Sequence, residues 1–250
     1  MMEGKVKVPT PLDLEGAHNV RDLGTYVNAE GKRLREHQFL RGDSLAGLTS
    51  EDQRKLMAYG VKAVIDFRSS QEKNQAPCVW EGSKEVDYYS IPLLDEMNSS
   101  SFQSRIPDSM SELYIKLLEN NKAEFAQALR IMSGYKEDCV IFNCTAGKDR
   151  TGIMAMLLLL MAGVDHEVII ADYAESEFNM KDAFQSQKEQ LLDIGIEVPE
   201  FAFQSKPDQM AATLDALTSK YGRADAYLST LGLKAEEISC LKHKLLMEEE

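Results

Sequence analysis

Cysteine is scarce in this 250-residue chain, and Cys78, Cys139, Cys144 and Cys240 include no Cys-x-x-Cys pair. That excludes a disulfide framework and makes a reducing cytoplasm the expected compartment. The four histidines (His18, His37, His166, His243) lie too far apart for metal-ligand spacing, so neither metal nor cofactor is expected. Long hydrophobic runs are missing as well. The longest apolar stretch, Ile153 to Val164, holds twelve residues, short of the ~20 that span a bilayer. It reads as a buried helix, and no stable membrane insertion is expected. The opening Met1-Met2-Glu3-Gly4-Lys5 lacks the apolar run and cleavage site of a secretory signal. Positive charge is in deficit: 28 Lys+Arg against 41 Asp+Glu leave a formal charge of −13. Such a surface repels phosphate backbones and anionic bilayers, so no nucleic-acid partner is expected, although a local basic pocket could still recruit an anion.

What is present is ordinary globular composition, 44% hydrophobic and 28% charged, enough to bury a substantial core. No repeat, low-complexity run or linker divides the sequence, so one domain over 1–250 is expected. Ser50-x-x-Gln53 reads as a capping box opening a helix that Gly60 closes, and Val61 to Phe67 follows as a strand. Glu85 to Ile91 reads as another strand, and Cys139 to Phe142 as a buried central one. Ser109-x-x-Glu112 is a second capping box, with Leu113, Leu117, Leu118, Phe125, Leu129 and Met132 at helical spacing as far as Gly134. Thr151 to Ala162 is a helix with Gly163 just beyond it. Strands alternating with helices predict an α/β fold, a mostly parallel central sheet flanked by helices. From Asp165 onward the chain reads as helical. Val168 to Leu192 is amphipathic, Pro207 starts a helix running to Tyr221, and Tyr173, Phe178 and Phe184 read as core packing. A helical excursion over roughly 165–206, following a catalytic loop, can also serve as a lid.

The chemistry sits in Cys139-Val-Ile-Phe-Asn-Cys144-Thr-Ala-Gly147-Lys148-Asp149-Arg150-Thr151-Gly152. An apolar strand runs into a cysteine, a short loop, an arginine and a long helix. The loop residues Thr145, Ala146, Gly147, Lys148 and Asp149 can curl so that their N–H groups converge on one anion. Gly147 relieves the strain of that curl. The helix beginning near Arg150 aims its positive dipole end at the same point, and Arg150 offers a planar fork for two phosphate oxygens. A cysteine in that field ionises well below the free-thiol value of ~8.5, so Cys144 is the candidate nucleophile, able to carry a phosphoryl group. Thr151 is placed to donate its hydroxyl to the thiolate when it leaves.

This stretch resembles the signature of the protein tyrosine phosphatase superfamily. More narrowly, it is similar to the bacterial branch whose loop reads Cys-x-x-Gly-Lys-Asp-Arg-Thr-Gly. Asn19-Val-Arg-Asp-Leu-Gly24-Thr-Tyr26, Phe39-Leu-Arg41-Gly-Asp-Ser44, Ile65-Asp-Phe-Arg68-Ser, Asp172-Tyr173 and Leu231-Gly232-Leu233 match other blocks of that branch, so the resemblance covers nearly the whole chain. It implies a phosphatase-like fold, hydrolysis of phosphomonoesters through a phosphocysteine, and phosphotyrosine proteins or peptides as substrates, with a phosphoinositide or dual-specificity phosphatase of the same fold as the alternative. Two departures stand out. Asn143 occupies the place of the usual histidine before the nucleophile, so the thiolate depends more on loop amides, the helix and Lys148. The tryptophan-proline-aspartate acid loop is absent; the single tryptophan, Trp80, precedes Glu81.

A general acid contributes ~10²–10⁴ in rate, so one is expected. The resemblance implies Asp149; the rival role for Asp149 is an ion pair that holds Lys148 or Arg150. Asp95 is the alternative acid, upstream of the nucleophile after a strand, with Glu96 competing. Asp66 and Arg68, two apart on a strand, share a face and are expected to pair with each other. The Asn19 to Tyr26 block is expected to pack beside the site as a turn. Lys148 is expected as a flexible charge at the pocket wall, similar to a lysine of phosphoinositide phosphatases. Gly42-Asp43-Ser44-Leu45 spells an esterase nucleophile block, but no Asp-x-x-His exists to complete a triad, so Ser44 is expected to cap locally. Gly147-Lys148 lacks the Ser/Thr and upstream glycine of a nucleotide-binding loop. An inactive phosphopeptide-binding module is the distant alternative.

Overall fold

The computed structural model describes residues 6–93, 109–193, 195, 200–222 and 224–247. The elements follow in order: β1 (Arg21–Asp22), β2 (Phe39–Gly42), α1 (Ser50–Ala58), β3 (Val61–Asp66), α2 (Ser70–Gln75), β4 (Asp87–Ser90), α3 (Met110–Asn120), α4 (Lys122–Gly134), β5 (Cys139–Asn143), α5 (Asp149–Met161), α6 (His166–Asn179), α7 (Lys181–Asp193), α8 (Pro207–Tyr221), α9 (Ala224–Thr230) and α10 (Ala235–Leu245). The sheet order is β1-β2-β5-β3-β4. Strands β2, β5, β3 and β4 run parallel, and only the short β1 is antiparallel. The expected mostly parallel sheet flanked by helices is therefore what forms.

Alternation along the central strands divides the core into two layers. Val140 and Phe142 of β5 face the larger layer, with Leu117, Phe125 and Leu158. Cys139 and Ile141 face the smaller one, with Leu56, Trp80 and Val86. Within β3 the parity slips at a register shift between Val61 and Ala63, so Val61 joins the smaller layer while Ala63 and Ile65 join the larger. Helix α5 is apolar on nearly every face and buries ten of its residues, as a helix enclosed between sheet and helices must. Trp80 is 2% exposed in the smaller layer, a packing residue rather than part of an acid loop.

Several boundaries differ from the sequence reading. The first capping box is Thr49 with Asp52, one residue earlier than Ser50 with Gln53. Asp52 is the residue whose carboxylate reaches back to the Thr49 N–H and also accepts from Glu15 and Gly16. The run ending at Gly134 is two helices, because Asn121 leaves the helical region; α3 then packs on α8 and α4 on α10. The stretch 168–192 is also two helices, meeting at Met180. Strand β2 was not expected as an element. Its four residues, Phe-Leu-Arg-Gly, carry no strand alternation, and only the β1 and β5 edges on either side make them one.

The parallel strands all end at one edge of the sheet. Gly42 leads to Asp43 and Ser44, Asp66 to Phe67 and Arg68, and Asn143 to Cys144. That carboxyl edge is where an open α/β sheet places its ligands.

Candidate active site

Strand β5 delivers Cys144 and α5 starts at Asp149, so the loop between them is pinned at both ends. The carbonyls of residues 144–147 are each engaged by a group outside that run. Asn143 Nδ2 donates to the Cys144 oxygen at 3.4 Å, Ser44 N to Thr145 O at 3.0 Å, Asn19 Nδ2 to Ala146 O at 3.0 Å, and Arg41 Nη2 to Gly147 O at 2.6 Å. In a planar trans peptide the C=O and the next N–H point in opposite directions. Turning carbonyls 144–147 outward therefore turns the N–H groups of Thr145, Ala146, Gly147 and Lys148 inward, where α5 adds its N-terminal amides. Gly147 has φ +66°, and a Cβ there would sit 2.7 Å from Gly42 O. Both backbone conformation and space require glycine. Cys144 lies at the floor of the loop, only 2% exposed.

Arg150 is aimed by a residue that sequence reasoning missed. Glu72 of α2 accepts Arg150 Nη1 on Oε2 and Nη2 on Oε1, both at 2.7 Å, a bidentate fork. The Glu72 carboxylate also accepts the Thr145 hydroxyl and, at 2.7 Å, the Ser69 N–H. Burial pushes the Glu72 carboxyl up, but the Arg150 pair outweighs it and holds Glu72 well below the ordinary carboxylate range. Burial likewise pulls Arg150 down and is outweighed by Glu72 and the nearby Cys144 sulfur. The only local signal for Glu72 is Ser69-x-x-Glu72, a capping box that does form. Glu72→Gln keeps the size and one oxygen but removes the charge. It is expected to lower kcat/KM about tenfold or more, because Arg150 loses its fixed direction. Steady-state kinetics checks this; an unchanged value would mean that the loop alone aims Arg150.

A buried cluster braces the loop from behind. Asp172 of α6 pairs with Arg41 Nη1 and, at 3.3 Å, with Arg21 Nη2, and accepts the Tyr26 hydroxyl at 2.9 Å. Arg21, Arg41 and Asp172 are at most 1% exposed. Burial pushes the Asp172 carboxyl up, but the two guanidiniums prevail and hold it low. Arg41 thus joins α6 to Gly147, and Asn179 Nδ2 joins the same helix to Asn19 Oδ1 at 3.0 Å. The Asn19 to Tyr26 block packs beside the site as expected. So does the Asp66–Arg68 pair, at 2.7 Å, with Arg68 Nη1 also donating to Ser44 Oγ at 3.0 Å. Ser44 caps the short turn after β2, accepting from Ala46 N.

The remaining predicted residues are placed as follows. Asp149 is partly exposed, its Oδ1 accepting the Tyr114 hydroxyl and lying 3.5 Å from Lys148 Nζ. Lys148 is not a flexible charge at the wall. It is 1% exposed, its ammonium donating to Gln204 O at 2.9 Å and sitting 6.0 Å from the Phe184 ring centre. The helical excursion therefore does reach the loop, through Phe184 and Gln204. Thr151 is buried, its hydroxyl 3.5 Å from Gly42 O. Asn143 is buried and its Oδ1 finds no partner among the described residues. Asp95 and Glu96 lie outside the described residues. Cys78 and Cys139 are buried thiols pushed up by burial, Cys78 to about 11, which makes them poor nucleophiles beside Cys144. Among the described residues no group of three or more His, Cys, Asp or Glu could hold a metal ion, and no helix is long and apolar enough to cross a membrane.

A strand-loop-helix anion cradle with a cysteine at its floor and an arginine at its rim, at the carboxyl edge of a mostly parallel sheet, defines a class of phosphoryl-transfer enzyme. Comparison with known proteins specifies it. The model of the tyrosine phosphatase family matches residues 12–247, and the chain belongs to that family. A tyrosine-protein phosphatase of Nostoc commune is 34% identical over 223 residues, covering 83% of this chain and 74% of that protein. The triple specificity protein phosphatase PtpB of Mycobacterium tuberculosis is 24% identical over 278 residues, covering 94% and 98%. A crystal structure of P. aeruginosa TpbA aligns with a TM-score of 0.41 and 15% identity, covering 84% of this chain and 99% of that one.

Proposed function

We propose that this phosphatase hydrolyses phosphotyrosine in protein or peptide substrates through a phosphocysteine at Cys144. The observation that carries the reading is the placement of Cys144, 2% exposed at the floor of a loop whose carbonyls 144–147 are all held outward. An aryl phosphate reaches a buried sulfur more readily than the shorter side chain of phosphoserine.

In the first step the Cys144 thiolate attacks phosphorus. An Sγ–P bond forms and the bond to the tyrosine oxygen breaks, its electron pair leaving with that oxygen, to which Asp149 delivers a proton. The inward amides and Arg150 hold the equatorial oxygens throughout. In the second step water attacks the phosphocysteine and gives its proton to Asp149, and the thiolate leaves with the charge. Thr151 supports that departure. Among the described residues its hydroxyl has only the long contact to Gly42 O, so its proton is weakly committed. No metal is needed for any step. A reducing cytoplasm suits a reaction that depends on a free thiolate.

The test is phosphate release from phosphotyrosine, phosphoserine and phosphothreonine peptides and short-chain phosphoinositides, with EDTA present and Cys144→Ser as blank. Turnover on phosphotyrosine peptides well above the rest supports the reading. Comparable turnover on phosphoinositides overturns the proposed substrate class and requires Lys148 to leave Gln204 for the headgroup. Silence across the panel overturns the enzyme reading in favour of a phosphopeptide-binding module.

A further inference from the structure

Two buried tyrosines outside the catalytic loop end on Asp149. Tyr114 of α3 donates its hydroxyl to Asp149 Oδ1, and the Tyr173 hydroxyl of α6 lies 2.7 Å from that of Tyr114. The rings meet edge to face with centroids 5.9 Å apart, and neither residue is more than 1% exposed. A phenol has one proton. Since that of Tyr114 goes to Asp149, the Tyr173 proton must go to the Tyr114 oxygen. The direction is therefore fixed, Tyr173 to Tyr114 to Asp149, and each bond polarises the next.

We propose that Tyr114 and Tyr173 form a hydroxyl relay that positions Asp149 as proton donor to the leaving oxygen. The proposal rests on the reading of Asp149 as the general acid. With Oδ1 held by Tyr114, the transferable proton resides on Oδ2, and the carboxyl cannot rotate to exchange the two oxygens without breaking a buried hydrogen bond. When Oδ2 gives its proton to the departing tyrosine oxygen, the negative charge spreads onto Oδ1. The Tyr114 bond then strengthens as a neutral acceptor becomes a charged one. The relay thus stabilises the state after proton transfer more than the state before it, which is what acceleration requires. Among the described residues no other group shares these hydroxyls, and both rings sit in the larger core, where phenylalanine would pack as well.

The charged groups around the relay are Lys148 and Arg150 beside Asp149 in the loop, Glu72 of α2 behind Arg150, and Arg41 of β2 and Glu177 of α6 acting on Tyr173. None of them donates to Asp149 Oδ1 within 3 Å as the phenol does. Burial pushes both phenols far up, and the neighbouring Asp149 adds to it, so both remain protonated donors at any working pH.

The experiment compares wild type, Tyr114→Phe, Tyr173→Phe and Asp149→Asn on phenyl phosphate, a poor leaving group, and p-nitrophenyl phosphate, a good one. Tyr114→Phe is expected to slow both substrates and phenyl phosphate about tenfold more. Tyr173→Phe should discriminate in the same sense by a smaller amount. A purely structural role would slow both substrates equally, and that outcome overturns the relay. If Asp149→Asn discriminates between the leaving groups and Tyr114→Phe does not, only the relay falls. If Asp149→Asn does not discriminate, the acid assignment falls and takes the relay with it. Should Tyr114→Phe fold poorly, equal slowing of both leaving groups in Tyr173→Phe is sufficient to overturn the proposal.

Discussion

Cys144→Ser is expected to abolish turnover, by on the order of 10⁴-fold or more, while oxyanion binding survives. The two effects separate because different atoms carry them. In the proposed mechanism the anion is held by inward amides of Thr145 to Lys148, by the start of α5 and by Arg150, none of which the substitution touches. The proposed nucleophile is the sulfur alone, and a serine hydroxyl in the same place is not ionised at neutral pH. Serine is also isosteric enough for a site where Cys144 is already 2% exposed, so the loop should keep its shape. Calorimetric titration with orthophosphate or tungstate should give affinities within about tenfold of wild type, alongside no phosphate release from a phosphotyrosine peptide. Retained hydrolysis would sink the covalent mechanism. Loss of both activity and anion binding would mean that the substitution collapsed the loop.

Asp149→Asn should reduce kcat on poor leaving groups by about 10²–10⁴ and on good ones far less, because only a basic leaving oxygen needs a proton in the transition state. The amide oxygen of that variant would still accept from Tyr114, and the side chain keeps its size, so the loop has no steric reason to move. Equal slowing on both kinds of leaving group would assign Asp149 to the ion pair with Lys148, 3.5 Å away, and pass the acid role to Asp95.

How much of this was readable beforehand divides along sequence separation. The cradle is contiguous. A buried strand, a cysteine, a glycine and an arginine before an apolar helix lie within a dozen residues, and local geometry is enough to say that they surround an anion. The mostly parallel sheet was legible for the same reason, since β3 and β5 are apolar runs with alternating faces. Helix α8, from Pro207 to Tyr221, follows from the preference of proline for a first turn.

What was not legible depends on partners far along the chain. Glu72 meets Arg150 across 78 residues, Arg41 meets Gly147 across 106, and Tyr114 meets Asp149 across 35. None is marked by its neighbours: Glu72 completes a helix cap, Arg41 lies in a stretch without strand alternation, and Tyr114 follows Leu113 on an ordinary helix. Lys148 shows the reverse error. Next to the loop glycine it promises a free charge, and only the packing of α7 and the 200–206 segment over the loop buries it against Phe184 and Gln204. The sequence alone determined the candidate nucleophile, the loop proposed to cradle phosphate and the family resemblance, because bonded neighbours must lie together in any fold. The tertiary structure alone decided what aims Arg150, what turns the loop carbonyls outward and what holds Asp149, because those contacts exist only once β2, α2, α3 and α6 converge on the carboxyl edge of the sheet.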